Sequence, residues 1–352
     1  MRVGILTFHR ANNYGAVLQC YALQESLRGL GYDAFVIDYR QQFVEMVYKK
    51  FSWRYLFTLL RTRPLAIPIY LMNCDERGVM RPLFTEFRNK HLRLTAECHK
   101  NIPQNVDTYI IGSDQLWGNN CTGGIDPIYY GEFARTMQHK IYSYAISSYA
   151  DSINKLSRSQ IRNFARNFAA LSFRESKIAQ MVATRSKQPT RVDIDPTLLL
   201  DAEQWSGITS TRWHERRYVL LYQLRTKKGR GAKLKRKAQE LATNMECELI
   251  DICAGRYSVE DFVSLFKYAQ YVVTSSFHGT AFSVIFNRPL YSVTLDDGHD
   301  ERCRNLLTSI GAEGMLTPLD SFDPTPQSVD YTTINQKVAE LRNESVEYLK
   351  GI

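Results

Sequence analysis

His278 stands in the run Ser275-Ser276-Phe277-His278-Gly279-Thr280, directly after the β-branched stretch Tyr271-Val272-Val273-Thr274. Its imidazole titrates near neutrality and can give or take a proton. The pattern implies a strand, a turn and a helix over 279–287, so His278 lies one residue before a helix start. Backbone N–H groups and the helix dipole favour an anion there. Ser275, Ser276, Gly279 and Thr280 are the accompanying candidate contacts to a substrate. A buried histidine that only closes the turn is the plain alternative.

Four further groups offer polar chemistry. Asn12, Asn13 and Gly15 follow the first apolar run and open a helix, which suits an anion or sugar contact and equally an ordinary helix cap. Asp114 could take a proton from a sugar hydroxyl, with Gln115 beside it, and Trp117 offers an apolar face of the kind sugar rings stack on. An Asp cap beside a core Trp is the alternative. Arg174, after Ser172-Phe173, suits bidentate binding of carboxylate or phosphate. A surface contact between Arg174 and Glu175 would mean little. Arg302 is a weaker candidate for an anion contact.

The elements that must position these residues read as α/β. Val3–Phe8 is a strand, 15–30 a helix with a broad apolar face, and Ala34–Asp38 the next strand, a βαβ unit with a parallel sheet. Residues 41–100 read as irregular and helical, punctuated by Pro64, Pro68 and Pro82. Strands resume at Thr108–Ile111, Ile141–Ile146 and 169–173, each ending in polar residues. The carboxyl ends of parallel strands line the ligand crevice, so these clusters imply one rim. Residues 186–195 read as the crossing to a second α/β unit. There, strands over 218–224, 247–253, 271–274 and 290–293 alternate with helices, one capped by Ser258, and a last helix covers 333–350.

The 352 residues suit two domains, and 44% hydrophobic content gives each a core. The start lacks a signal sequence, no apolar stretch reaches bilayer length, and the seven scattered cysteines form no CxxC pair. These features imply a cytoplasmic chain with reduced thiols and no metal site. The net charge is +9, concentrated in part between Arg225 and Lys237, where eight basic residues meet no acid. That run is a solvated helix face or a polyanion contact. The aromatic-basic mixture over 51–63 fits a membrane-surface segment, at the inner face of the membrane, or an ordinary docking helix.

Taken in order, Gly4–Phe8 with 12–23, Gly112–Trp117, Tyr144–Ser147, Ser172–Ser176, Asp195–Leu199 and Val272–Pro289 resemble the polysaccharide pyruvyl transferase family. The resemblance implies a fold like that of GT-B glycosyltransferases, two Rossmann-like domains facing across a cleft. It implies residues 1–187 as the acceptor-side domain, 188–331 as the donor-side domain and 332–352 as a terminal helix. It also implies transfer of pyruvate from phosphoenolpyruvate to two hydroxyls of a galactose-type hexose, as a cyclic ketal. No cofactor is implied. The setting would be bacterial surface polysaccharide biosynthesis (capsule or exopolysaccharide), with an acceptor that can be undecaprenyl-linked. His278 would then be the acid, Asp114 the base and Arg174 a donor contact. Characterised members are similar to an Arg-Leu-His triplet where this chain has Ser276-Phe277-His278. Arg302, Lys227 and Lys228 are the candidates to replace the missing cation. The departure keeps open a glycosyltransferase on the same scaffold using a nucleotide sugar. Nothing in the sequence matches a nucleic-acid motif, so no nucleic-acid partner is expected.

Overall fold

In the computed structural model, residues 1–134, 139–224, 229–296, 298 and 300–352 are described. Arg225, Lys227 and Lys228 therefore lie outside the described residues. The chain divides into two compact units, Met1–Leu199 with Glu344–Ile352, and Leu200–Asn343.

The first unit is built on strands β1 (Arg2–Leu6), β2 (Asp33–Val36), β3 (Thr108–Ile111) and β4 (Lys140–Ser143), all parallel, in the order β2-β1-β3-β4. Strands β5 (Leu171–Phe173) and β6 (Thr190–Val192) pair with each other, and bridges Tyr142–Ala170 and Ile146–Phe173 carry the sheet onward to them. Side chains alternate across the sheet as a period of two requires. Leu6 and Ile111 pack into one apolar core, while Val3, Ile5 and Ile110 pack into the other. Helix α1 (Tyr14–Gly29) follows β1, capped by Asn13, whose side chain accepts the Ala16 N–H. Between β2 and β3 come α2 (Gln42–Tyr48), α3 (Trp53–Thr62), α4 (Ile67–Met72) and α5 (Cys74–His91). The short α6 (Asn119–Thr122) follows β3, α7 (Ala150–Asn154) and α8 (Arg158–Ala165) follow β4, and α9 (Ser176–Ser186) follows β5.

The stretch 186–195, expected as an interdomain crossing, holds β6 instead. It is anchored inside the first unit by two buried carboxylates. Asp193 accepts from the Ser172 and Ser345 hydroxyls and pairs with Arg191, while Asp195 accepts from the backbone and hydroxyl of Thr197. A strand of three residues rich in polar side chains carries too little periodicity to be seen in the sequence.

The second unit repeats the plan. Short α10 (Ala202–Ser206) leads to β7 (Tyr218–Tyr222), then α11 (Arg230–Asn244), β8 (Glu248–Asp251), α12 (Val259–Tyr268), β9 (Tyr271–Thr274), α13 (Phe277–Ile285), β10 (Leu290–Thr294), α14 (Glu301–Ser309) and β11 (Leu316–Pro318). The order is β11-β10-β9-β7-β8, all parallel. Ser258 caps α12 as its position implies. Helix α15 (Thr332–Lys350) starts in this unit and ends in the first.

Both sheets are thus doubly wound. In each, strand order reverses next to the first strand, between β1 and β3 and between β7 and β9. Ligands bind doubly wound sheets at that reversal, beyond the carboxyl ends of the strands. Asn12, Asn13 and 112–117 flank it in the first unit, and 275–278 adjoin it in the second.

The basic run of α11 is largely paired. Arg230 meets Asp296, Lys233 meets Asp320, Lys235 meets Asp251, and Lys237 meets Glu240. That pairing favours the solvated-face reading over a polyanion groove.

Candidate functional site

In the second unit, β9 delivers its chain into the turn and α13 begins at once. The helix starts at Phe277, two residues before the expected Gly279, so His278 lies inside its first turn. Ser276 is the N-cap residue, but its side chain makes no capping bond. Thr274 explains the early start. Its hydroxyl donates to the Tyr222 carbonyl at 2.6 Å and accepts the Ser276 N–H at 3.0 Å, folding the chain back over the strand end. Gly279 is required by this closeness, since a Cβ there would lie 2.2 Å from Thr274 Oγ1. Thr280 is fully buried, its hydroxyl donating to the Ser276 carbonyl at 3.1 Å and lying 2.9 Å from Ser292 Oγ. Gly279 and Thr280 therefore serve the packing of the turn. Ser275, Ser276 and His278 are all buried, and the imidazole stands edge-on to Phe277. Arg302 lies in the first turn of α14, half-buried, and takes part in no ion pair among the described residues.

In the first unit, the loops after β1 and β3 are tied together. Thr7 donates to the Ser113 carbonyl, and Gln19 both donates to the Thr7 hydroxyl and accepts the Ser113 N–H. Gly112 sits at φ +134° where a Cβ would meet the Tyr144 carbonyl oxygen at 2.0 Å, so the β3 end can press directly onto the neighbouring backbone. Asp114 follows with φ +74°, a left-handed conformation that Asp tolerates better than most residues. Its carboxylate accepts the Gln115 N–H at 2.8 Å and its carbonyl accepts the Ser147 N–H at 2.9 Å. Gln115 donates to the Tyr149 hydroxyl and accepts from the Cys121 thiol.

Trp117 corrects an expectation. Its indole is 1% exposed, stacks on Tyr130 and donates to the Tyr129 carbonyl, so its face belongs to the core and not to a sugar ring.

Arg174 corrects another. It is not the surface contact with Glu175 that the sequence left as the alternative. The buried guanidinium pairs with Asp195, itself fully buried, and with Glu175 at 3.4 Å. Burial opposes its charge, but Asp195, Glu175 and Asp114 outweigh that and raise its pKa above the usual arginine value. Glu175 also accepts from Ser147 at 2.6 Å. The polar ends of β3, β4 and β5 therefore do form one connected rim, with Arg174 as its central cation and Asp114 within its field.

A model of one family, polysaccharide pyruvyl transferase, matches residues 13–297 and thereby reaches into both units. The chain belongs to the polysaccharide pyruvyl transferase family. No curated protein matches it. Two solved structures are distant likenesses. The UDP-GlcNAc 2-epimerase of Methanocaldococcus jannaschii has 10% identity and a TM-score of 0.47, over 97% of this chain and 93% of that one. The glycosyltransferase SnogD of Streptomyces nogalater has 11% identity and a TM-score of 0.42, over 99% and 97%.

The transferase carries a second polar cluster that sequence reasoning missed. His9 is fully buried after β1, its Nε2 2.9 Å from Asp38 Oδ1 and its Nδ1 3.2 Å from the Thr7 carbonyl. Both nitrogens face acceptors, which favours a charged ring, while burial lowers the imidazole pKa. Asp38 also has Arg40 at 2.8 Å and Arg10 at 3.9 Å. Burial likewise opposes ionisation of Asp38, yet the His9 hydrogen bond and the two guanidiniums hold its carboxyl down at about 2. Beside them Arg88 is buried, donates to Asn12 Oδ1 at 3.1 Å and leaves its Nε without a partner. Burial, then Arg10, pulls this guanidinium down to about 10. The available signal was position, since His9 and Asp38 each follow a strand end.

A folded pKa of about 2 against an unfolded value near 3.9 stabilises the fold above about pH 4 and is lost as pH falls toward 2. The contribution is about 2–3 kcal/mol. Urea unfolding at stepped pH should therefore show the native protein losing that much more stability between about pH 5 and 1 than Asp38→Asn. Equal slopes for both proteins would remove Asp38 from the account.

Asn12 also reaches a cavity of about 410 Å³ under α2–α5, whose lining includes Tyr48, Tyr55, Leu59, Tyr70 and Arg77. Among the described residues, no helix is long and apolar enough to cross a membrane.

Proposed function

We propose that this polysaccharide pyruvyl transferase moves the pyruvyl group of phosphoenolpyruvate onto two hydroxyls of a hexose in a surface glycan, forming a cyclic ketal. The observation that carries the reading is His278 in the first turn of α13, at the carboxyl end of β9, inside the stretch matched by the family.

In this reading His278 protonates the methylene carbon of the donor, which becomes a methyl group. Positive charge then develops at carbon 2, and a sugar hydroxyl adds there while Asp114 accepts its proton. The carbon–oxygen bond to phosphate breaks, and the second hydroxyl closes the ring. Two hydroxyl protons are released in all. One balances the proton on the methyl group, and the other leaves with phosphate. The α13 N-terminus favours the anionic donor through its dipole. Arg302 is the proposed cation in place of the arginine absent at Ser276, while Arg174 acts as a positioning residue that holds the rim around Asp114.

The test is to incubate the protein with phosphoenolpyruvate and a panel of hexose acceptors and to follow phosphate release. Acceptor-dependent release with a product heavier by the pyruvyl group is expected. Transfer from a nucleotide sugar, with none from phosphoenolpyruvate, would replace this reading with a glycosyltransferase.

A further inference from the structure

Exposed large apolar side chains are unevenly placed in this protein. Of thirteen among the described residues, nine lie between Phe51 and Val79. Helix α3 presents Trp53, Phe57 and Leu60 outward at helical spacing, and the α3–α4 connection and α4 add Leu65, Ile69 and Met72. Leu65 is 92% and Met72 81% exposed. This is far more clustered than the scattered apolar exposure of ordinary surfaces.

The face is also a built one. Ser52 caps α3 through the Tyr55 N–H, and its own N–H donates to the Tyr70 hydroxyl at 2.7 Å, pinning α3 to α4. Arg77 of α5 lies over the Tyr70 ring at 4.2 Å and donates to the Tyr70 carbonyl at 2.7 Å. Inward-facing Leu59 and Tyr70 are buried while the outward residues stand in solvent. The apolar face is held open by bonds beneath it.

Charge identifies what would cover it. From Met46 to Cys74 the chain holds Lys49, Lys50, Arg54, Arg61 and Arg63 and not one acidic residue. A second copy related by a two-fold axis would bring these cations against themselves. An anionic bilayer answers both properties at once. Trp and Phe insert at the headgroup level, long basic side chains reach the lipid phosphates, and the two signals together give stable attachment where one alone is marginal. We propose that the α3–α4 face docks on the surface of an anionic membrane, with no segment crossing it.

The measurement is sedimentation of the full chain with vesicles, with no substrate present, so its outcome is independent of the proposed transfer. Vesicles of phosphatidylcholine with roughly one-third phosphatidylglycerol should bind the protein at least about tenfold more tightly than phosphatidylcholine alone. Leu65→Ser with Met72→Ser, and separately Arg61→Glu with Arg63→Glu, should each weaken binding about tenfold with an unchanged melting temperature, since these side chains are exposed. The proposal falls if the native protein stays in solution with both vesicles, binds both alike, or is unaffected by the variants. It also falls if the protein self-associates without lipid and the Leu65/Met72 variant abolishes that, which would make a second copy the occupant.

Discussion

Phosphate release from phosphoenolpyruvate by His278→Gln is expected to be slower than by the native protein by about a hundredfold to ten-thousandfold, the range a positioned general acid supplies. Glutamine keeps a polar side chain of similar reach, so the turn should persist. The loss should fall on kcat, because the imidazole is needed for proton delivery and the donor is held by other groups. Gly279, Thr274 and Thr280 hold the turn through their own contacts, so the fold of the turn should survive the substitution, as the melting temperature would report. Full release by this variant, measured at saturating phosphoenolpyruvate, would end the assignment of His278 as the acid.

The second large effect is expected at Arg174, and it is first a matter of stability. Arg174→Ala leaves Asp195, which is fully buried, and Glu175 without their shared cation. Breaking a buried pair from one side costs about 3–5 kcal/mol. A double variant, Arg174→Met with Asp195→Asn, removes the guanidinium and its closest carboxylate together, leaves Glu175 in place, and keeps the side-chain oxygen that accepts from Thr197. It should recover part of the lost stability, as measured by urea unfolding, since only Glu175 then lacks the cation. Activity separates the two possible roles. If Arg174 positions the rim around Asp114, the stable double variant should show a reduced kcat with little change in the KM for phosphoenolpyruvate. A large rise in that KM with kcat intact would make Arg174 a donor contact instead.

Much of this site is legible in the amino-acid sequence. Tyr271–Thr274 and Thr108–Ile111 are strands at the bounds their β-branched and apolar runs suggest, because each is buried and unbroken. Strand ends can then be placed, and with them Asp114, Arg174 and His278. What escapes depends on contacts between distant parts of the chain. The Gly279 position looks like a helix start by composition, but Thr274 pulls the start forward to Phe277, and only the packed turn reveals that. Trp117 has the same sequence whether it faces a sugar or Tyr130. The partners of His9 and Arg88 lie on other elements, so their cluster has no local signature. β11 escapes as β6 does, being three residues long and ending in Pro318.

The division of α15 bears on the order in which this protein can be completed as it is made. The second unit is a continuous segment, Leu200–Asn343, but the first needs Glu344–Ile352 as well. Those nine positions are well anchored. Leu349 is fully buried, Ser345 donates to Asp193, and the Tyr348 hydroxyl donates to the Ser143 carbonyl at the end of β4. A chain emerging from the ribosome presents its first 199 residues early, yet their core stays unfinished until 344–352 have followed. The portion synthesised first is therefore the last to close, and a chain stopped short of residue 344 would leave the Asp114 rim on an incomplete scaffold.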